Sequence, residues 1–284
     1  MSANTLVQHL STIFKEKYLL DVSPFQEEFL ERIVKLRMTR LGYHSFEEYW
    51  LELKYNADEV HQLWNDFHIP YSSFFREKVS CALMEERLLP KILSELEDNG
   101  PEIRIWIAGC ARGEEAYSLA IMLDRAIQRS RKKNHVRLFA TDVSQESIDF
   151  AIKGLYPKSS LAHVPISILE EYFIPQGGLY LIKPMIREHL IFSRFDLLDP
   201  SIKNPRESIY GGFDLVTCCN VLYYYKHEAQ MVMMDKFYYS LKENGYLVTG
   251  ETERMTLSAH PDFQELFPGF PIFQKKRRPV VRGE

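Results

Sequence analysis

From residue 103 the sequence alternates short apolar segments with longer amphipathic ones. The apolar segments are "IRIWIAG", "VRLFATD", "FDLVTCCN" and "YLVTGE", and helix-like stretches separate them. Short buried strands that alternate with amphipathic helices are typical of a parallel sheet covered by helices. The sequence therefore predicts an α/β fold, in which ligands lie at the carboxyl ends of the strands and the first strand–helix turn is the usual cofactor cradle.

Two other regions have a different pattern. Residues 1–96 are predicted to form a helical N-terminal domain, and "EDNGP" marks a linker to the α/β domain at 97–284. Within that domain, residues 156–192 lie between the two halves of the strand–helix pattern and contain several short β-like runs. This stretch is too long for a plain connection, so it predicts a small inserted antiparallel β-subdomain.

The composition narrows the class of protein. The chain has 45% hydrophobic and 26% charged residues and a net charge of −4, which is ordinary for a globular protein and gives no general reason to expect nucleic-acid binding. No apolar run is long enough to insert in a membrane, and no export signal is evident, so a cytoplasmic location is expected. The four cysteines lack metal-site spacing and are predicted to be buried thiols, with no metal bound.

The turn in "IWIAGCARGEEAYSLAIML" is acidic where a phosphate-binding loop would not be. Gly109 and Gly113 would let the backbone approach a ligand, but Glu114 and Glu115 would repel a pyrophosphate at the helix start. A cationic cofactor such as S-adenosylmethionine suits this turn, with Glu114 as its contact or as a helix cap and Glu115 as a cap. Asp142, which ends the next strand, could accept hydrogen bonds from ribose hydroxyls.

Several segments together resemble the CheR-type chemotaxis receptor (protein-glutamate) O-methyltransferases. They are "YSSFFRE", "IWIAGCARGEEAYSLAIML", "FATDVSQESIDFAIKGLYP", "FDLVTCCNVLYYY" and "LKENGYLVTGETE", in the family's order and spacing, and the resemblance covers residues 15–273. It implies a class I, Rossmann-like S-adenosylmethionine methyltransferase domain with a helical N-terminal domain and an inserted β-subdomain. It also implies methyl transfer to glutamate carboxylates of a chemoreceptor-like protein, giving methyl esters and S-adenosylhomocysteine.

The resemblance also assigns site residues. Arg76 and Tyr224 are the implied catalytic residues, because an acceptor carboxylate needs orientation rather than a strong base. The implied cofactor contacts are Ser73, Arg76, Gly109, Gly113, Glu114, Asp142, Asp196, Leu197 and Asn220.

A helix over residues 24–41 is predicted to begin at a capping box of Ser23 and Gln26, with Pro24 as its first residue, and to end at Gly42.

Arginines on this helix offer a surface for a partner. On a helical wheel Arg37 and Arg40 fall inside the apolar arc. They could extend to solvent and compensate the helix C-terminus. The resemblance implies instead that Arg32, Arg37 and Arg40 contact an acidic helical cytoplasmic region of a chemoreceptor-like protein.

The sequence departs from the family pattern at several positions. Cys219 stands where the family has arginine, Ala116 where it has proline, and Asp196 where it usually has asparagine. A catalytically weakened docking module is therefore an alternative to an active enzyme. A small-molecule methyltransferase would leave the basic helix without a role, and an NAD enzyme conflicts with the acidic turn.

Overall fold

The structure is a computed structural model that describes residues 3–95, 102–130 and 135–277. The chain divides into two units. One is Met1–Ile69 with Leu222–Val232, here called the helical unit, and the other is Pro70–Val221 with Met233–Glu284, here called the sheet unit. The predicted linker and the boundary at residues 96 and 97 lie outside the described residues, and that boundary stays a prediction.

Four helices form most of the helical unit: α1 Ala3–Tyr18, α2 Glu27–Leu41, α3 Phe46–Tyr55 and α4 Ala57–Phe67. Their buried faces meet in one apolar core that includes Phe14, Leu30 and Leu63. The returning segment Leu222–Val232 joins this core, where the Tyr225 ring stacks on Phe25 with centroids 4.8 Å apart. The helical prediction for this part of the chain agrees with the structure.

The predicted start of α2 is wrong. The helix begins at Glu27, and its N-cap is Gln26, whose side chain makes no capping hydrogen bond. Instead the Gln26 backbone N–H donates to the Tyr224 carbonyl at 2.9 Å, and the Lys226 N–H donates to the Pro24 carbonyl at 2.8 Å. These long-range bonds hold residues 24–26 extended. The predicted end is confirmed, because Gly42 adopts φ 81° and its N–H closes the last turn.

The sheet unit follows the alternating pattern. Its elements, in chain order, are α5 Lys78–Leu83, a π-helical turn Met84–Leu88, α6 Leu89–Glu95, β1 Ile103–Ala108, α7 Glu114–Ser130, β2 Val136–Asp142, α8 Gln145–Lys153, β3 Leu155–Pro157, α9 Ile166–Tyr172, β4 Phe173–Gln176, β5 Leu179–Ile182, α10 Pro184–Arg187, β6 Leu190–Arg194, β7 Phe213–Cys218, α11 His227–Ser240, β8 Leu241–Thr249, α12 Arg254–Ser258, β9 Phe263–Glu265 and β10 Ile272–Lys275. Helix α11 begins in the helical unit. Among the described residues, no helix combines the length and apolarity needed to cross a membrane.

Seven strands form the main sheet in the order β6-β2-β1-β7-β8-β10-β9. The pairs from β6 to β8 are parallel, and β10 runs antiparallel to both β8 and β9. The chain moves outward from β1 through β2 to β6, and then returns to the other side of β1 with β7. This reversal places a ligand crevice at the carboxyl ends of β1 and β7.

A second, small sheet has the antiparallel order β3-β5-β4 and begins one residue before the predicted insertion, at Leu155. The end of that insertion, from Leu190, belongs to β6 of the main sheet. The predicted fold class, a Rossmann-like α/β domain with helices before it and a small β-subdomain inside it, is confirmed.

Candidate cofactor site

The turn between β1 and α7 has a backbone that few side chains would allow. Gly109 and Gly113 have φ of 76° and 92°, and Ala111 also has a positive φ of 46°. A Cβ on Gly109 would lie 2.5 Å from Cγ2 of Val221, and one on Gly113 would lie 2.9 Å from the Tyr156 hydroxyl oxygen. Both positions therefore require glycine for steric reasons within the protein.

Glu114 opens α7 and is buried, with 4% of its surface exposed. Within the described part of the chain its Oε2 has no hydrogen-bond partner. Burial raises the pKa of Glu114 from 4.5 to about 7, although its backbone N–H and the charge of Arg112 oppose the shift. A buried carboxylate oxygen with no partner fits the ammonium group of S-adenosylmethionine, which would supply the missing donor.

Glu115, by contrast, has a partner on the neighbouring strand. The Thr217 hydroxyl at the end of β7 donates to Glu115 Oε1 at 3.0 Å. Burial of the carboxyl group raises the pKa of Glu115 to about 7, and the hydrogen bonds from Thr217 and Cys219 oppose this shift. Glu115 therefore connects α7 to β7, a contact that a simple helix cap does not make.

Ser118 brings the "SSFFR" segment to the cofactor turn. Its hydroxyl donates to the Glu114 carbonyl at 2.7 Å and accepts the N–H of Phe75 at 3.1 Å. Phe75 has a positive φ of 50°, so the chain turns sharply just before Arg76. Ser73 is partly exposed and Arg76 is exposed, with its guanidinium 5.6 Å from the centroid of the Tyr71 ring.

Asp142 ends β2 beside the same turn. Its Oδ2 accepts the N–H of Ala111 and its Oδ1 accepts the N–H of Ser144, both at 2.9 Å. Its backbone carbonyl accepts the N–H of Phe195 at 2.9 Å, which brings in the segment with Asp196, exposed, and Leu197, buried. The Asp142 carboxylate therefore connects the end of β2 to the glycine turn, at the carboxyl edge of the sheet.

Asn220 follows β7 with a positive φ of 60°. Its backbone N–H donates to Glu253 Oε2 at 3.0 Å, and its Nδ2 donates to Glu77 Oε1 at 3.3 Å. The structure thus gathers the predicted cofactor contacts at the carboxyl edge of the sheet unit. Tyr224 belongs to the helical unit, where its ring centroid lies 4.7 Å from that of Phe29.

The three predicted substrate arginines differ in setting. Arg37 is 5% exposed, and its guanidinium donates to both oxygens of Glu59 and, at 2.7 Å, to Asp66 Oδ2. Arg32 is exposed beside the Phe29 ring, and Arg40 is exposed with a 3.5 Å contact to Asp66. The burial of Arg37 favours a structural role, whereas Arg32 and Arg40 are accessible to a partner.

Sequence reasoning missed four residues that build this edge: Ser118, Glu77, Thr217 and Glu253. Glu77 was visible beside Arg76 in "FFRE", and Glu253 in "TGETE". Each of the four has a hydrogen-bond partner more than 30 residues away along the chain, and no local pattern indicates that partner. Among the described residues, no group of three or more His, Cys, Asp or Glu side chains is arranged to hold a metal ion.

Comparison with known proteins identifies the family of this chain. The family described as "CheR methyltransferase, SAM binding domain" matches residues 71–268, which is more than half of the chain. A chemotaxis protein methyltransferase from Listeria monocytogenes is 29% identical over 87% of this chain and 89% of its own length. One from Borreliella burgdorferi is 26% identical over 94% of this chain and 95% of its own.

A further relative is longer. An uncharacterized 104.1 kDa protein from Rhodobacter capsulatus is 32% identical over 87% of this chain, which spans only 25% of that protein. The family match covers the glycine turn, Glu114 and Asp142. Glu114 Oε2, without a partner among the described residues, fits a cationic ligand, so the cofactor is S-adenosylmethionine, as predicted. The chain belongs to the CheR methyltransferase family.

Proposed function

We propose that the protein transfers the methyl group of S-adenosylmethionine to glutamate side chains of a chemoreceptor-like signalling protein, forming methyl esters. The observation that carries this proposal is the buried Oε2 of Glu114 on the glycine turn, which has no hydrogen-bond partner among the described residues and suits a cofactor with an ammonium group and no phosphate. Relatives named chemotaxis protein methyltransferases, aligned over most of this chain, support the receptor as substrate.

The cofactor contacts follow from the carboxyl edge of the sheet unit. We assign Glu114 to the amine of the cofactor, Asp142 to its ribose, and Asp196 with Leu197 to the surroundings of its adenine. Ser73, Arg76 and Asn220 would complete the pocket, while Gly109 and Gly113 allow the backbone to approach. These assignments rest on the family motif at each position.

Little acid–base chemistry is required of the protein. When bound, S-adenosylmethionine supplies a methyl group activated by a sulfonium centre. An acceptor glutamate is already ionised at pH 7, so the protein has mainly to align its carboxylate with that methyl group. Arg76 is exposed at the turn and has a planar fork of donors, which suits a carboxylate. Tyr224 is the second proposed catalytic residue, as a hydrogen-bond donor.

The receptor partner is proposed to be an acidic helical cytoplasmic region, which would place the enzyme in the cytoplasm. Arg32 and Arg40 are exposed on α2 and available to acidic side chains. Such contacts between opposite charges steer association and weaken as salt rises.

Methyl transfer tests the proposal directly. The full chain would be incubated with methyl-labelled S-adenosylmethionine and receptor-containing membranes, and label released by mild base would be counted. We expect base-labile label on receptor protein, reduced by about 100-fold in Arg76→Ala. The matched control is Arg137→Ala, at the amino end of β2, which should transfer like the unmodified chain. Absence of label on every chemoreceptor tried would rule out the proposal.

A further inference from the structure

Glu77 connects three segments that are far apart in the sequence. It follows Arg76, and its two carboxylate oxygens accept the backbone N–H of Glu251 at 3.1 and 3.2 Å. Its Oε1 also accepts from Asn220 Nδ2 at 3.3 Å. The carboxylate therefore holds the segment that carries Arg76 to the ends of β7 and β8.

Asn220 is confined on its other sides as well. Its backbone N–H donates to Glu253 Oε2, which also accepts the Gly250 N–H at 2.8 Å. A Cβ on Gly250 would lie 2.6 Å from Asn220 Nδ2, so the amide packs directly against this backbone. With the backbone and one face fixed, the remaining freedom of Asn220 is which amide atom faces Glu77.

The Glu77 carboxylate selects one of these two orientations. An ionised carboxylate only accepts hydrogen bonds, so it binds the amide NH₂ and repels the amide oxygen. Asn220 Oδ1 is then directed away from Glu77 and is available as an acceptor. A neutral glutamine at position 77 could donate or accept, and would not distinguish the two orientations.

We propose that Glu77 is a positioning residue for the cofactor, which acts by fixing the amide of Asn220 with its oxygen toward the ligand. This inference rests on the cofactor contact that the proposed function gives to Asn220. It adds a residue that itself makes no contact with the cofactor. A double-mutant cycle with Asn220 measures whether Glu77 affects cofactor binding through the amide of that residue.

The cycle uses the full chain and the dissociation constant of S-adenosylhomocysteine, measured by calorimetry, for four proteins: unmodified, Glu77→Gln, Asn220→Ala and both together. We expect Asn220→Ala to weaken binding by about tenfold, as for a lost hydrogen bond to a charged group. Glu77→Gln should weaken it by about twofold, because the two amide orientations of Asn220 would then be about equally populated. The double variant should bind no more weakly than Asn220→Ala. Independent, multiplied effects, or unchanged binding by Glu77→Gln, would overturn the proposal.

A matched control separates positioning from folding. Glu265 is another carboxylate of the sheet unit that accepts a backbone N–H, from Gly269 at 3.1 Å, and it also binds Arg254 and Ser258. Glu265→Gln should lower the melting temperature with no change in cofactor affinity. If Glu265→Gln and Glu77→Gln weaken binding equally, Glu77 has no specific role and the proposal fails.

A second pair of variants tests the same contact with donor and acceptor exchanged. Asn220→Asp keeps an acceptor oxygen but sets two carboxylates against each other, and should weaken binding. Adding Glu77→Gln to Asn220→Asp supplies an NH₂ donor from the other side and should restore at least part of the affinity. No restoration would overturn the proposal. Because the readout is binding alone, it is independent of whether a receptor accepts the methyl group.

Discussion

The hydroxyl oxygen of Ser118 lies 3.1 Å from the backbone nitrogen of Phe75 and accepts its hydrogen, across 43 positions of the sequence. Because the same hydroxyl donates to the Glu114 carbonyl, one side chain fixes the segment before Arg76 relative to the first turn of α7.

Ser118→Ala should therefore affect both stability and cofactor binding. It leaves the buried N–H of Phe75 without an acceptor, which we expect to lower the free energy of unfolding by about 1–3 kcal/mol. Urea unfolding and calorimetry with S-adenosylhomocysteine measure the two effects. Ser94→Ala is the control, because its exposed hydroxyl near the end of α6 donates to the Lys91 carbonyl one turn earlier. Equal results for the two serines would contradict the prediction.

Gly109→Ala should be more destabilising than Gly269→Ala. Both glycines have φ near 80°, and alanine there costs about 1–2 kcal/mol. Only at Gly109 would the new Cβ also collide with Val221, because nothing lies within 4 Å of a Cβ on Gly269. We expect an additional loss of about 1–3 kcal/mol at Gly109, measured by urea unfolding. Similar losses in both variants would show that the turn relaxes away from Val221.

Glu114 should make stability depend on pH. Burial raises its pKa from 4.5 to about 7 in the cofactor-free protein, so between those pH values the folded state holds a proton that the unfolded state has released. The Glu114 contribution to the free energy of unfolding should then fall as pH rises from 5 to 7, by about 2–3 kcal/mol, and stay level above 7. Glu115, whose pKa burial also raises to about 7, adds a fall of its own in both proteins. Unfolding of the unmodified chain and of Glu114→Gln across this range isolates the contribution, which the variant should lack.

Cofactor affinity should change with pH in the opposite direction. The ammonium group binds the ionised carboxylate. Below pH 7 the Glu114 carboxyl group is protonated in the free protein and must lose its proton on binding, so affinity should fall by up to about tenfold for each pH unit below 7. Glu114→Gln should bind more weakly at pH 8 and with little pH dependence. If the variant kept the same slope as the unmodified chain, another group would be responsible.

Arg37 and Arg40 should separate stability from partner binding. Arg37→Ala leaves Glu59 buried without its cation, and we expect a loss of about 3–5 kcal/mol of unfolding free energy. Arg40 is 66% exposed, so Arg40→Ala should cost less than about 1 kcal/mol. In a binding assay with a receptor fragment, Arg40→Ala should weaken association, and this effect should be smallest at high salt. A stable Arg37→Ala variant would contradict the structural role of Arg37.

Local sequence patterns predicted elements whose causes are local. β2 runs from Val136 to Asp142 as the apolar segment indicated, and α2 ends at Gly42 because a left-handed glycine acts within one turn. The glycine turn and Glu114 were also recognisable, because a carboxylate at the start of a helix repels an anionic ligand and attracts a cationic one.

Predictions failed or stopped where the cause is distant in the sequence. Ser23 and Gln26 have the spacing of a capping box. The start of α2 is set instead by the hydrogen bonds of Gln26 with Tyr224 and of Lys226 with Pro24, which join residues far apart in the sequence. The helical wheel showed that Arg37 lies in an apolar arc, but it could not show that Arg37 is paired there with Glu59 and Asp66. No sequence pattern indicated a role for Glu77, because its partners Asn220 and Glu251 follow β7 and β8 and lie near it only in the folded sheet unit.

The return of Leu222–Val232 to the helical unit sets an order on synthesis. The carbonyl oxygens of Tyr224 and Tyr225, which accept hydrogen bonds from Gln26, are made more than 190 residues after it. During synthesis, the contacts of Phe25 and Gln26 with Tyr224 and Tyr225 can therefore form only after most of the sheet unit has been made. A fragment cut after residue 69 would lack the same partners, so receptor-binding studies on this enzyme require the intact chain.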